Sequence, residues 1–310
     1  MIRLDNRVPV PDSLHGAIVA LGNFDGFHQG HQAVVGEAIR WARAEGRPVI
    51  VATFDPHPVR LFQPDAAPFR LTTLDQREDL FGAAGADAML VLHFDRLMAS
   101  MTAAEWIEEV LHRQLGVAGV VTGEDFTFGK GRGGNPDVLR EIGARFGVTN
   151  RTVPAVHDQY GPISSSRVRE ALIAGDCEAA ARLLTRPFAV RGPVQHGNKF
   201  GRQMGFPTAN IDMASYLRPH YGIYAVIGHF PDGRRIPGAA NLGIRPTIQP
   251  PVELLEPHFF DVSEDMYDLV IEVEFHHFIR PEAKFASIEE MMTQIGRDCV
   301  KARELLAPLT

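Results

Sequence analysis

The amino-acid sequence predicts a two-part α/β fold: a doubly wound parallel sheet in the first half, antiparallel strands in the second, and a helix at the end. Three observations carry that prediction. At 310 residues the chain exceeds what one hydrophobic core ordinarily organises, which argues for two domains. Between residues 17 and 154, short apolar runs alternate with longer stretches of helical period, as expected where crossover helices connect parallel strands. Beyond residue 185, glycine and proline become dense and apolar residues alternate with polar ones, the pattern of antiparallel strands. The boundary is placed there, giving domains 1–185 and 186–310.

Taken in order, the apolar runs place strands over 17–21, 48–53, 88–92, 117–122 and 148–153, with helices over 30–45, 103–115 and 136–146. Two further helices, 167–174 and 177–184, follow the last of these strands. In the second half, 223–227 and 270–275 alternate as strands, and Pro231-Asp232-Gly233 makes a turn between two strands. His276 and His277 fall at the end of a strand and receive no role. Ser287 caps a final amphipathic helix that ends near Leu306, and Glu290, three residues on, completes a capping box.

Composition excludes several classes. Lys and Arg total 31 against 38 Asp and Glu, a formal charge of −7, so there is no basic footprint for nucleic acid. No apolar run approaches the ~18 residues of a membrane span, and residues 1–14 mix Arg3, Asp5 and Arg7 with prolines instead of forming a signal core. The only cysteines, Cys177 and Cys299, lie far apart, which excludes a disulfide framework and a cysteine-rich zinc site. A cytoplasmic protein is expected, with oligomeric state, a homo-oligomer included, left open.

The chemistry concentrates in two places. The first strand runs into Gly22-Asn23-Phe24-Asp25-Gly26-Phe27-His28-Gln29-Gly30-His31 and then a helix. Glycines let backbone approach a phosphate, and a helix N-terminus offers unpaired N–H groups and the positive end of its dipole. His28 and His31 share one face of the first turn, where both reach an anion bound there. A two-histidine, one-carboxylate metal site of Asp25, His28 and His31 is the rival reading. Ser164, Ser165 and Arg169, at the start of a helix, supply hydroxyls, N–H groups and a guanidinium for a second phosphate. Gly129-Lys130-Gly131-Arg132-Gly133-Gly134 fits G-x-G-x-x-G literally but does not directly follow its strand, so it does not mark a dinucleotide crossover. The second place, residues 196–210, combines a glycine-rich loop, the cations Lys199 and Arg202, and the oxygen donors Thr208 and Asn210, components suited to nucleotide phosphates and Mg²⁺.

The first loop resembles the G-x-F-D-x-x-H-x-G-H signature of nucleotidyltransferases. Thr53-Phe54-Asp55-Pro56-His57-Pro58, Gly123-Glu124-Asp125-Phe126-Thr127-Phe128-Gly129 with Arg132, and Ile163-Ser164-Ser165-Ser166-Arg167-Val168-Arg169 resemble, in order, further motifs of bacterial flavin adenylyltransferases. Gly201-Arg202-Gln203-Met204-Gly205-Phe206-Pro207-Thr208-Ala209-Asn210 resembles the riboflavin kinase signature, and Asn241-Leu242-Gly243-Ile244-Arg245-Pro246-Thr247 its next motif. Together these cover roughly residues 15 to 305, in the order of the bacterial bifunctional riboflavin kinase/FMN adenylyltransferases. Ser166 stands where that family usually has Thr, Asp125 where some members have Asn, and Asp268 where Gly is common.

The resemblance implies a nucleotidyltransferase-type sheet followed by a small antiparallel β-barrel of riboflavin kinase type with its terminal helix. It implies riboflavin, FMN and ATP as substrates and Mg²⁺ as cofactor. Gly22, Asn23, Phe24, Asp25, His28, His31, Ser164, Ser165 and Arg169 would bind ATP for adenylylation, His28 and His31 acting catalytically. His57, Asp125, Phe126, Phe128 and Arg132 would hold the flavin. In the kinase, Gly197, Lys199, Gly201, Arg202, Pro207, Thr208 and Asn210 would bind ATP, Thr208 and Asn210 the metal, and Glu256 and Arg297 the flavin. Glu256 falls in the family's E-x-H position as general base; counting from the nearby Glu253 breaks the register that Asp261 and Tyr267 keep. Two other readings are a nucleotidyltransferase with another phosphorylated acceptor and a flavin-binding protein without turnover.

Overall fold

The computed structural model describes residues 1–196, 206–245, 252–262 and 264–309. They form two compact units: Met1–Ala67 with Leu74–Ser164, and Pro68–Thr73 with Ser165–Thr310.

In the first unit, β1 (Ile2–Asp5), β2 (Ile18–Leu21), β3 (Val49–Asp55), β4 (Ala88–His93), β5 (Gly119–Gly123) and β6 (Thr149–Val153) make one parallel sheet in the order β1-β4-β3-β2-β5-β6. Helices α1 (Gln29–Glu45), α2 (Pro58–Phe62), α3 (Leu74–Ala84), α4 (Arg96–Ser100), α5 (Ala103–Trp106, continued in wider π turns over Ile107–Gln114) and α6 (Pro136–Gly143) connect the strands. Alternation along each strand divides the apolar residues between two faces. Ile18, Ala20, Val51 and Met89 pack with Val35 and Ala38 of α1 and Phe81 of α3. Val19, Leu21, Ile50 and Leu90 pack with Trp106, Ile107 and Val110 on the other face. The sheet is therefore doubly wound, as predicted, and the five predicted strands are present.

Strand β1 and helices α2 to α4 were not predicted. β1 is a four-residue edge strand with Arg3 and Asp5 in it, and only its pairing with β4 makes it a strand. In α3 the polar side chains of Gln76 and Arg77 are buried, which erases the apolar stripe that would mark a helix.

After β6, the two-residue strands β7 (His157–Asp158) and β8 (Gly161–Pro162) pair antiparallel. In the second unit, α7 (Ser165–Ile173) and α8 (Cys177–Leu184) precede β9 (Phe188–Pro193), β10 (Ile211–Asp212), β11 (Gly222–His229), β12 (Arg235–Arg245), β13 (Val252–Phe259), β14 (Val270–Pro281) and α9 (Ile288–Leu306). The antiparallel sheet runs β10-β13-β12-β11-β14-β9, and a bridge from Val194 to Ile211 joins its two ends into a barrel. Val190, Ile211, Val226, Leu242, Leu255 and Phe275 are fully buried, with Tyr224 edge-on to Phe275 at 4.9 Å. On the outer face, Ala302 and Leu306 of α9 cover Ala225, Ile227 and Ala239. Ser287 caps α9 by accepting from the Glu290 N–H at 3.1 Å, and the Glu290 carboxylate accepts from the Ala286 N–H. Because β14 extends to Pro281, His276 and His277 stand within the strand, bonded to Glu274 and Glu178 respectively, and not at its end. Asp268 has φ +64°, a left-handed conformation that Asp tolerates better than most side chains. Both cysteines are free thiols, and burial pushes Cys177 up to about 12.

Candidate active sites

After β2 the chain goes to β3 on one side and returns to β5 on the other, so the strand order reverses beside β2. In open α/β sheets ligands bind outside the carboxyl ends of strands at such a reversal. The loop between β2 and α1 leaves from that end.

His28 is the N-cap of α1: its Nδ1 accepts from the N–H groups of Gly30 at 3.2 Å and His31 at 3.4 Å. An accepting Nδ1 puts the proton of a neutral imidazole on Nε2, leaving Nε2 as the donor. The His31 ring stacks on that of His28 with centroids 3.7 Å apart. Phe24 and Phe27 both hold positive φ, +48° and +49°. Phe24 meets His31 edge-on at 5.3 Å, and both phenylalanines pack on Phe81 of α3, at 5.8 and 5.2 Å. A side chain at Gly22 would press on the Phe24 ring, 3.1 Å from where its Cβ would stand.

Asp25 is 1% exposed and pairs with Arg77, itself 2% exposed, at 3.0 Å. Arg77 also donates to the Thr53 hydroxyl at 3.0 Å, and Thr53 donates to the Asn23 carbonyl at 2.7 Å. Asp25 is thus tied into the floor of the loop, and among the described residues no three histidine, cysteine or carboxylate side chains converge as a metal site. Sequence reasoning missed Arg77. The signal was there in an arginine four residues before Phe81, but no pattern in the chain says that it is buried.

Around this loop, the Ile163 carbonyl lies 3.5 Å from where a Cβ on Gly30 would stand, bringing Ser164 beside the first turn of α1. His57 caps α2 through Nδ1, which accepts from the Val59 N–H at 3.2 Å. Beyond β5, Asp125 and Arg132 are exposed, whereas Phe128 is buried against Trp106 and stacked on Phe126 at 5.8 Å. Reciprocal backbone bonds between Phe128 and Gly134 close the glycine-rich 129–134 segment into a surface loop, not a crossover. Ser165 and Arg169 lie on α7 in the second unit, where Arg169 Nε donates to the Phe69 carbonyl at 2.9 Å.

In the barrel, β10 pairs with β13 as Ile211 to Leu255, and the Ala209 N–H donates to the Pro257 carbonyl at 2.9 Å. That register sets Asn210 level with Glu256, which in turn pairs with Asn241 of β12. Directly opposed residues share a face. Asn210, Glu256 and Asn241 therefore form one polar rung on the outer face, the face that α9 covers. Asn210 is buried; Glu256 and Thr208 are half-buried. His258 Nδ1 bonds the Pro207 carbonyl at 2.8 Å, holding the 206–210 segment on β13. Asp298, buried, takes Arg280 of β14 at 2.6 Å and fixes the middle of α9, with Arg297 exposed next to it. Glu253 points to the opposite face, where Arg218 binds it at 2.6 Å and the Tyr221 hydroxyl donates to it. Burial alone would raise its pKa, but the Tyr221 and Arg218 bonds hold the carboxyl below its usual range. Gly197, Lys199, Gly201 and Arg202 lie outside the described residues.

Comparison with known proteins decides the family. The FAD synthetase family model matches residues 10–167 and the riboflavin kinase model residues 184–306. The bifunctional riboflavin kinase/FMN adenylyltransferase of Pseudomonas fluorescens is 40% identical, over 94% of this chain and 94% of that protein. The chain belongs to the bifunctional riboflavin kinase/FMN adenylyltransferase family. Members from Escherichia coli strain K12 and Bacillus subtilis are 39% and 36% identical over 93% and 91% of this chain, and 92% and 90% of their own. A crystal structure from Streptococcus pneumoniae described as a macrolide-efflux protein superposes with a TM-score of 0.85 at 29% identity, covering 96% of this chain and 97% of that one. Efflux is said of that protein alone; among the described residues here no helix is long and apolar enough to cross a membrane.

Proposed function

We propose that this chain makes FAD from riboflavin in two ATP-dependent steps, with residues 186–310 phosphorylating riboflavin to FMN and residues 1–185 adenylylating FMN. The observation that carries the reading is the match of both family models, in this order, together with relatives aligned over nearly the whole of both chains. The substrates are small molecules present in the cytoplasm, where we place the reaction, and no nucleic acid takes part.

In the kinase step Glu256 accepts the proton of the ribityl hydroxyl as that oxygen attacks the γ-phosphorus of ATP, ADP leaving. Gly197, Lys199, Gly201, Arg202 and Pro207 form the ATP loop, and Arg297 meets the flavin. Asn210 and Thr208 beside a carboxylate are an all-oxygen donor set, which fits Mg²⁺. Those two residues would hold the ion, which when bound neutralises charge on the ATP phosphates.

In the adenylylation step an oxygen of the FMN phosphate attacks the α-phosphorus of ATP. A phosphoanhydride forms and pyrophosphate leaves. The nucleophile is already anionic near neutral pH, so no strong base is needed, and His28 and His31 serve by donating toward the charge that develops on the α-phosphate. Gly22 and Asn23 line the phosphates, and Ser164, Ser165 and Arg169 make the second phosphate-binding element. His57, Asp125, Phe126, Phe128 and Arg132 border the flavin.

The test is a time course with riboflavin, ATP and Mg²⁺, the flavins separated by chromatography. FMN rising and then giving way to FAD is expected. No conversion, even of supplied FMN to FAD, overturns the reading and favours a flavin-binding protein without turnover.

A further inference from the structure

We propose that Arg77, through Asp25 and Thr53, is the positioning residue that sets the geometry of the His28/His31 pair, and that Asp25 acts in this clamp and not as a contact to ATP or metal. The inference rests on the adenylyltransferase reading above and adds to it a role that none of the recognised motifs contains.

Two arms of α3 grip the loop between β2 and α1. The polar arm is Arg77, whose Nη2 takes Asp25 at 3.0 Å and whose Nη1 donates to the Thr53 hydroxyl at 3.0 Å. Thr53 passes the constraint on by donating to the Asn23 carbonyl at 2.7 Å. All three side chains are buried, so these bonds operate away from water, where leaving any one unmade is costly. The apolar arm is Phe81, one helical turn further on, which packs on Phe24 and Phe27. Those two are the non-glycine residues of this loop held at positive φ, a conformation that such residues keep only when the surroundings impose it. Phe24 then bears edge-on against His31, and His31 stacks on His28. The chain of contact runs from Arg77 and Phe81 through the loop to the two imidazoles without a gap.

Stabilising charge on a phosphorus in transit depends on where the donors stand before reaction, and a displacement of about 1 Å can cost on the order of 100-fold in rate. Residues that act this way lower kcat and leave substrate binding nearly unchanged, whereas loss of a direct ligand contact raises KM.

The experiment measures both activities in full-length Arg77→Met and Thr53→Val, with FMN or riboflavin supplied. For Arg77→Met we expect adenylylation kcat to fall about 100-fold, and for Thr53→Val about tenfold, with KM for ATP and FMN within about threefold of the parent. Kinase activity should be retained in both, because the barrel belongs to the second unit, and KM values near those of the parent report that the first unit, which holds both substitutions, is folded. Arg77→Met leaves the Asp25 carboxylate buried without its partner; should that variant fail to fold, Thr53→Val decides. Parent-like kcat, or a rise in KM for ATP with kcat unchanged, overturns the proposal, as does joint loss of both activities in Thr53→Val. If instead the unsubstituted chain makes no FAD from FMN and ATP, it is the adenylyltransferase reading that falls.

Discussion

Asp25 and Glu256 occupy the loop after β2 and the barrel rung, and both fall in motifs that point to phosphate chemistry, yet the fold treats them oppositely. Asp25 is sealed at 1% exposure against Arg77, while Glu256 stands half-buried between two asparagines on a sheet face. A carboxylate that is buried and paired has its charge committed to holding backbone in place; removing its partner leaves an uncompensated charge, which is why such pairs persist. A half-buried carboxylate on a sheet face keeps part of its surface open to a substrate, which a sealed one does not. The comparison teaches that a motif locates an acid, while burial decides whether a substrate can reach it.

The largest effect should come from the barrel. Glu256→Ala is expected to lower FMN formation by about 100-fold or more, the scale of a lost general base, while adenylylation of supplied FMN continues. Kinase rates equal to the parent would break the contrast at its acting end. Next is His31→Ala, for which FAD formation should drop by about 100-fold as FMN still accumulates from riboflavin. Equal loss of both activities would deny that the two sites are separable.

Much of this was legible in the chain. The four inner parallel strands, β2 to β5, announced themselves because each is an apolar run buried on both faces, and the first loop because glycines, histidines and a helix start fall together. α3 was hidden because Gln76 and Arg77 face inward, and a buried arginine reads as a solvent-facing one until its partner, 52 residues away, is known. The reverse held for Glu253 and Glu256. The sequence offers two glutamates three apart; the register of β13 puts them on opposite faces, and only one of those faces carries Asn210 and Asn241.

Glu253 gives the smallest and sharpest test of that division. Its carboxylate is held below the usual range because, against the burial that would raise it, Tyr221 and Arg218 bond its charged form. A depressed acid stabilises the fold fully above its unfolded-state value and loses that contribution as pH falls through the depressed folded-state value. Glu253→Gln, which keeps an acceptor for the Tyr221 hydroxyl, should therefore cost up to about 1 kcal/mol at pH 7, a partly exposed pair being screened. The gap between parent and variant should close as the pH is lowered through and below the ordinary carboxylate range, read by denaturant unfolding at each pH. Kinase activity should be unaffected at neutral pH, since the side chain faces away from the rung. A kinase loss approaching that of Glu256→Ala would move the base to Glu253, and a stability gap that widens toward acid would mean that its carboxylate is bonded in the protonated form.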